Sequence, residues 1–488
     1  MAQSPPRPLS LLLLLLLLLF VLSPAWSTQV NDILITRAVE QSLDHAHKAT
    51  VLFFRDNDSF CLDMALDAAD NLNTLRSLFH AQHLPTDDHK TAERVRTLAS
   101  AALTKIDACL DDMQDENYSR SDVYKHMKQW SMQQCAAVGM IKEIYSSKNP
   151  CKDGECNCVH ELNINQIISQ IPEEQTLTVA KDGSGNFSSI QEAVDFAPKQ
   201  PKDNVTFFKI FIKEGVYQEN VVIKKKNQLV LVGEGINRTV ITGNRSNFDG
   251  FRTYETATFS VSGLKFIAFN ITFENTAGPE KHQAVAVLND AEHSVFYKCS
   301  FFGYQDTLYA HSKTQFYREC DIYGTIDFIF GNAAAVFQNC NIYVLQRLPN
   351  QNTVISAQGR TCLNDVTGFS FINSSIRAAS DNMSGTETYL GRPWRQYSRT
   401  VYIQSLLDLW IDPKGWLEFN GSFALDTLYY GEYGNGGIGA DTDERVRWKG
   451  YKRMGRFDAL NFTVDEFISG RTCWLDEMGV PFFPSLLD

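Results

Sequence analysis

The sequence predicts an all-β parallel β-helix preceded by an all-α helical bundle. Three observations carry this. The texture of the chain changes near residue 150, from helically spaced apolar residues to short β-rich runs. The β-rich part repeats itself at intervals of about 20 residues, a period typical of stacked coils. It also lacks any long amphipathic stretch, while Gly and Asn recur between its runs.

The chain begins with Arg7, an apolar run from Leu11 to Leu22, and Ala25-Trp26-Ser27. A charged start, a short apolar stretch and small residues predict a signal peptide over residues 1–27. The run is shorter than the roughly 20 residues a membrane span needs. The expected product is a secreted protein with no membrane attachment once the signal is removed. Eleven cysteines then imply disulfides, and the odd number leaves at least one thiol over. Asn57, Asn117, Asn244, Asn270 and Asn461 stand in glycosylation sequons, which fits the same route.

Residues 28–150 carry the helical spacing. One stripe runs Leu62, Leu66, Ala69, Leu72, Leu75 and Phe79; another runs Val95, Leu98, Ala102, Ile106, Cys109 and Met113. A third runs Val123, Met127, Trp130 and Val138. About four such helices with short connections predict an antiparallel bundle. Residues 151–175 read as a cysteine-containing linker. Its Cys151, Cys156, Cys158 and His160 could be drawn as a zinc site, but disulfides are the commoner use of cysteine outside the cell.

From Thr176 onward, Phe296-Tyr-Lys-Cys299, Phe316-Tyr-Arg-Glu-Cys320 and Phe337-Gln-Asn-Cys340 repeat one order, their cysteines 21 and 20 residues apart. Asp306 and Asp327 each lie 7 residues after a repeat cysteine. Equivalent positions on neighbouring coils are about 4.8 Å apart, so the two carboxyls should sit side by side. Gln283 and Gln305 are 22 residues apart, again about one coil. Two close carboxylates repel, so one holds a proton while the other stays ionised. The ionised one can attack an ester carbonyl; the protonated one can serve as acid and then as base. The Gln amides can donate to an oxyanion. Arg392, in Leu390-Gly-Arg-Pro-Trp394, offers a cation beside an aromatic ring. A carboxyl spacing of roughly 5 Å would equally serve a retaining glycosidase. Net charge is −12; residues from Thr176 onward hold 30 basic and 34 acidic side chains, −4, leaving −8 before them. Without a basic excess, nucleic acid is excluded as a natural partner.

Several stretches resemble the plant pectin methylesterase (pectinesterase) family. They are Gly215-Val-Tyr-Gln-Glu219, Gln283-Ala-Val-Ala286, Gly303-Tyr-Gln-Asp306-Thr-Leu308, Asp327-Phe-Ile-Phe-Gly331 and Leu390-Gly-Arg-Pro-Trp394, in family order. The resemblance covers residues 176–488 and implies a right-handed parallel β-helix. It implies hydrolysis of galacturonate C6 methyl esters in cell-wall pectin, with no metal or cofactor. Asp327 would be the nucleophile, Asp306 the acid and base, and Gln283 and Gln305 the transition-state stabilisers. Thr253, Gln283, Arg392 and Trp394 would contact substrate, with Trp416 a looser candidate. The alternatives of the same architecture are an inactive wall-binding or inhibitor protein, a lyase or a polygalacturonase.

Phe60-Cys61-Leu-Asp63 and Cys109-Leu-Asp111 resemble the pectin methylesterase inhibitor domain. That implies an inhibitor-like pro-region and, as partner besides pectin, this domain or a separate inhibitor protein. The two resemblances imply disulfides Cys61–Cys109 and Cys320–Cys340. A further pairing, Cys362–Cys473, would tie a late coil to the tail; Cys135 would join the linker cysteines, and Cys299 would be the free thiol.

Overall fold

A computed structural model describes residues 24–56, 58–81, 89–113, 122–144, 163–201, 207–380, 387–408, 411–470 and 474–487. The chain forms two compact units that divide at residue 149. The expected signal segment lies outside the described residues except for its last few positions. There the first helix already begins, at Pro24.

Among the described residues the first unit holds four helices: α1 (Pro24–Asp56), α2 (Ser59–Ala81), α3 (His89–Asp112) and α4 (Asp122–Ile144). Each packs on its chain neighbours, and α4 closes the ring against α1. The stripe on α3 is buried as its spacing predicts. On α2 the seam runs through Cys61, Met64, Ala65, Ala68, Leu72 and Leu75, while Leu66 is 47% exposed. Alanines take the close contacts there, and a count of large residues alone misplaces the seam by one position. A disulfide joins Cys61 on α2 to Cys109 on α3. A buried polar relay ties three helices: Trp130 Nε1 donates to Ser42 Oγ at 2.7 Å, Ser42 Oγ to Gln134 Oε1 at 2.6 Å, and Gln134 Nε2 to the Ala99 carbonyl at 2.9 Å.

The second unit starts earlier than the linker reading allows. Asn163 and Gln166 form a reciprocal capping box that opens a helix over Ile164–Gln170. Residues 151–162 of that linker, with its three cysteines, lie outside the described residues. Beyond it the chain winds into a right-handed parallel β-helix, whose described residues form three sheets of eleven, eight and seven strands. One coil runs Val287–Glu292, Ser294–Tyr297 and Ser300–Phe302; the next runs Leu308–Ala310, Thr314–Arg318 and Asp321–Gly324. Val287 pairs with Leu308, and Phe316 with Val336, so a coil takes 21 and then 20 residues.

This register turns the sequence repeat into columns. Phe296, Tyr317, Phe337, Phe371 and Tyr402 stack inside the coil with ring centroids 4.5 to 5.4 Å apart and near-parallel planes. After each of the first four of these strands one residue takes a left-handed backbone: Lys298, Glu319, Asn339 and Asn373, at φ of 51°, 52°, 55° and 47°. That kink turns the chain onto the next sheet and aims the following small residue inward.

Those inward residues are Cys299, Cys320, Cys340 and Ser374. The expected Cys320–Cys340 disulfide is not formed; both are free, buried thiols, as is Cys299. All three lean back on a carbonyl of the preceding coil: Cys299 on Ala268 at 3.4 Å, Cys320 on Phe296 at 3.3 Å, and Cys340 on Tyr317 at 3.4 Å. Parallel neighbours in one rotamer point the same way, so their sulfurs stand a coil apart rather than at a bonding distance of about 2 Å. Cys362 and Cys135 are disulfide-bonded. The partners expected for them, Cys473 and the linker cysteines, lie outside the described residues.

Candidate active site

The site forms where the seven-stranded sheet departs from regularity. Leu308 and Ile329 occupy equivalent rungs and face the core. Asp306 and Asp327 precede them by two residues, where strict alternation would also point them inward. Both instead have left-handed backbones, with φ of 65° and 50°. The pairing of Ile326–Gly331 with Thr353–Gln358 also slips between Ile326 and Ile329. A bulge with a strained residue re-aims a side chain, and such devices concentrate at functional sites. The Asp306 N–H donates to the Ile326 carbonyl at 3.1 Å, which holds the two aspartates on adjoining rungs.

Each aspartate is only 8% exposed. Arg392 grips Asp327 with two parallel bonds, Nε to Oδ1 at 2.8 Å and Nη2 to Oδ2 at 2.6 Å. Burial pushes Asp327 above the ordinary carboxylate range, and Arg392 pulls it back. Asp306 is driven further up: burial raises it first, the Asp327 charge adds to that, and Arg392 opposes only in part. The two acids therefore part, with Asp306 holding its proton to higher pH than Asp327 does.

Val287 pairs with Leu308 at 21 residues, but ahead of them the Ala284 N–H donates to the Gln305 carbonyl at 3.2 Å, and the Ala286 and Val287 N–H groups both reach the Thr307 carbonyl, at 2.9 and 3.2 Å. In a parallel ladder an N–H bonds the residue before its partner, so Gln283 lies level with Gln305, and the extra residue is absorbed at Ala286–Val287. Both glutamines are half-buried, and among the described residues neither carboxamide is taken up by a side chain or carbonyl. Thr253 opens a short turn, Thr253–Thr256, in the coil before. The Thr256 hydroxyl donates to the Thr253 carbonyl at 2.7 Å and accepts the Val285 N–H at 3.0 Å. Trp394 is half-buried and covers Gly359, where a Cβ would come within 2.7 Å of its ring. Trp416 does not join the site: it is 1% exposed, stacked on Tyr430 and bonded through Nε1 to Glu432, so it cannot act as a sugar platform.

Four aromatics escaped the sequence reading. Tyr309 and Phe330 stack at 4.1 Å, and Tyr254 and Trp394 meet them edge-on. Phe419 lies under the Arg392 guanidinium at 4.8 Å. A signal for two of them was present: Tyr309 and Phe330 each follow an aspartate by three residues, one coil apart.

An aromatic strip beside two acids of unlike protonation, on the outside of a parallel β-helix, defines a carboxylate-pair hydrolase of the β-helical class. The chain belongs to the pectinesterase family, whose pattern matches residues 176–471. Residues 22–143 match the family described as plant invertase/pectin methylesterase inhibitor. An Arabidopsis thaliana protein named probable pectinesterase/pectinesterase inhibitor 32 is 44% identical over 453 residues, 88% of this chain and 84% of its own. Another from that plant, number 41, is 54% identical over 324 residues, covering 66% of this chain. The chain spans 50% to 60% of the length of the first four curated relatives it matches. The solved structure of a pectin methylesterase from carrot is 47% identical and superposes with a TM-score of 0.62, over 64% of this chain and 98% of that one.

Proposed function

We propose that this protein hydrolyses the C6 methyl esters of galacturonate in pectin, releasing methanol and leaving a carboxylate. The observation that carries the reading is the bidentate Arg392–Asp327 pair beside a buried, proton-bearing Asp306. Asp327 attacks the ester carbonyl, and the carboxamides of Gln283 and Gln305 donate to the oxyanion that forms. Collapse breaks the bond to the methoxy oxygen, which leaves as methanol with the Asp306 proton. An acyl–Asp327 anhydride remains. Asp306, now a carboxylate, takes a proton from water, whose oxygen attacks the acyl carbon. The acid product leaves and gives its proton to solvent, Asp327 is restored as a carboxylate, and Asp306 is protonated again.

Arg392 keeps Asp327 ionised and oriented, while Trp394 and the Tyr309–Phe330 strip supply faces for sugar rings. Thr253 borders the same face. The place of action in this reading is the cell wall, reached by secretion. Among the described residues no helix is long and apolar enough to cross a membrane. The protein partner is the inhibitor-like bundle or a separate inhibitor of that family.

The test is methanol release from highly methylated pectin by the full chain, with EDTA present, beside Asp327→Ala. The variant should lose activity on the order of 10⁶-fold, as when a nucleophile is deleted. A folded parent that releases no methanol sinks the esterase reading. Equal release by both proteins sinks the nucleophile.

A further inference from the structure

The loop that carries Arg392 and Trp394 rests on one short stretch, Ser356 to Arg360. The Arg392 N–H donates to the Ser356 carbonyl at 2.9 Å, which fixes the start of the loop. Gly359 seats the Trp394 ring. The end of the loop is fixed by the Gln358 side chain, whose Oε1 accepts the Arg399 N–H at 2.8 Å and the Arg360 N–H at 3.0 Å. Its Nε2 donates to Asn332 Oδ1 at 3.1 Å, so three of the buried carboxamide's four bonding positions are filled. Between the two ends, Arg360 and Tyr397 hold each other in both directions. Arg360 Nε donates to the Tyr397 carbonyl at 2.7 Å, and the Tyr397 N–H donates to the Arg360 carbonyl at 2.9 Å.

This seat is itself anchored below. Arg360 Nη1 donates to the Asp365 carbonyl at 3.3 Å, and Asn332 Nδ2 donates to the Asp365 carboxylate at 3.2 Å. Arg360, Asp365, Gln358 and Asn332 are all buried. A buried charged network whose groups are satisfied rigidifies what it touches, and one weakened member frees the rest. None of these four touches the place where the ester would lie. Gln358 and Arg360 touch the loop whose Arg392 holds the nucleophile, and Asn332 and Asp365 brace those two from below.

We infer that Gln358 and Arg360 are positioning residues for the reaction: through Tyr397 and Arg399 they set the loop that places Arg392 on Asp327 and Trp394 over the aromatic strip. This rests on the esterase reading above. Arg360 is chosen by geometry, because its planar fork reaches the Tyr397 carbonyl and the Asp365 carbonyl at once. A lysine is a point donor and can satisfy one of them.

The inference predicts a particular kinetic signature. If the loop shifts, Arg392 relaxes its hold on Asp327, and Asp327 loses the cation that opposes its burial. The acid limb of the kcat/KM profile must then move to higher pH. Trp394 moves too, so KM for polymeric pectin rises. A displacement of about 1 Å at a site can cost about 10²-fold in rate.

The experiment compares Arg360→Lys and Arg360→Met with the parent in the full chain, measuring methanol release from pectin across pH together with thermal midpoints. Phe296→Leu, a stack residue three coils before the one that carries the loop's seat, is the stability control. Both Arg360 variants should lose about 10²-fold in kcat/KM, with the acid limb displaced upward and KM raised, Met more than Lys. The control should lower the thermal midpoint while leaving the limb in place. An unmoved acid limb and unmoved KM in folded Arg360→Lys overturns the inference, as does the same displacement in the control. If Arg360→Met does not fold, Arg360→Lys alone decides. A parent without activity fails the esterase reading instead, and Asp327→Ala separates that case.

Discussion

The interior of the coil and the outer face of the seven-stranded sheet are built by one operation with opposite results. Parallel register places residue i of one turn beside its equivalent on the next. Inside, it repeats Phe296, Tyr317, Phe337, Phe371 and Tyr402, and the repetition is favourable because rings stack and no water is left to exclude. Outside, it repeats Asp306 and Asp327, and the repetition is unfavourable because two buried carboxyls cannot both ionise. The stack absorbs that cost, and the site uses it. A column of like residues is therefore a stability device when apolar and a proton-sorting device when acidic.

The largest effect that sharpens this contrast is expected at Asp306. Replacing it by Asn should cut kcat by about 10²–10⁴-fold, the range for loss of a general acid. The same substitution should raise stability, by an amount that depends on pH. The folded-state pKa of Asp306 lies above its unfolded value. Below about pH 4 both states hold the proton and the two proteins should unfold alike. As pH rises from there toward the elevated folded value, the unfolded chain releases its proton while the folded chain keeps it. The parent loses stability over that window, and the Asn variant does not. Thermal midpoints across pH check this; a gap that narrows with rising pH would mean Asp306 is not the protonated partner.

The next effect probes the interior. Phe337 stacks on Tyr317 at 4.7 Å and on Phe371 at 4.6 Å. Phe337→Ala should cost about 3–5 kcal/mol in stability. Methanol release per folded molecule should stay near that of the parent, because the rungs of the site are registered by backbone bonds. A large loss of specific activity in the folded variant would show that the two regions are not separable.

How far each region could be read in advance follows from the same contrast. The stack was legible because its period is written in residue types, with aromatics and cysteines 20 and 21 positions apart. The aspartates were legible for the same reason, being locked to that period. Gln283 and Gln305 were read as one coil apart at 22 positions, and the bond from the Ala284 N–H to the Gln305 carbonyl keeps that spacing. The change to 21 at Val287 was not legible, because an absorbed residue leaves no mark in residue type. The left-handed backbone and the bulge that turn Asp306 and Asp327 outward leave no mark in composition. Nor does the seat under Trp394, because Gln358, Arg360 and Asp365 are scattered polar residues until the coil closes over them. Trp416 was misread for a related reason: an aromatic next to a motif says nothing about which side of the wall it faces.

The smallest effect separates register from covalent linkage in the thiol column. Cys340 and Cys320 were expected to be bonded, and in the coil each bonds instead to the carbonyl behind it. Burial pushes the Cys320 thiol well above its usual range, and burial takes Cys299 up to about 12. Neither should react with an alkylating reagent in the folded protein, because the thiolate is the nucleophile. Cys340→Ala should then cost about 1 kcal/mol, the scale of trimming one buried group. Removing half of a disulfide would cost about 2–5 kcal/mol and would leave Cys320 newly available once the chain unfolds. Denaturant titration of Cys340→Ala, with thiols counted in the unfolded parent and variant without reductant, distinguishes the two. Loss of one thiol on substitution is what a free column requires. A gain of one would mean that the coil, for all its parallel side chains, twists enough at this rung to bring two sulfurs together.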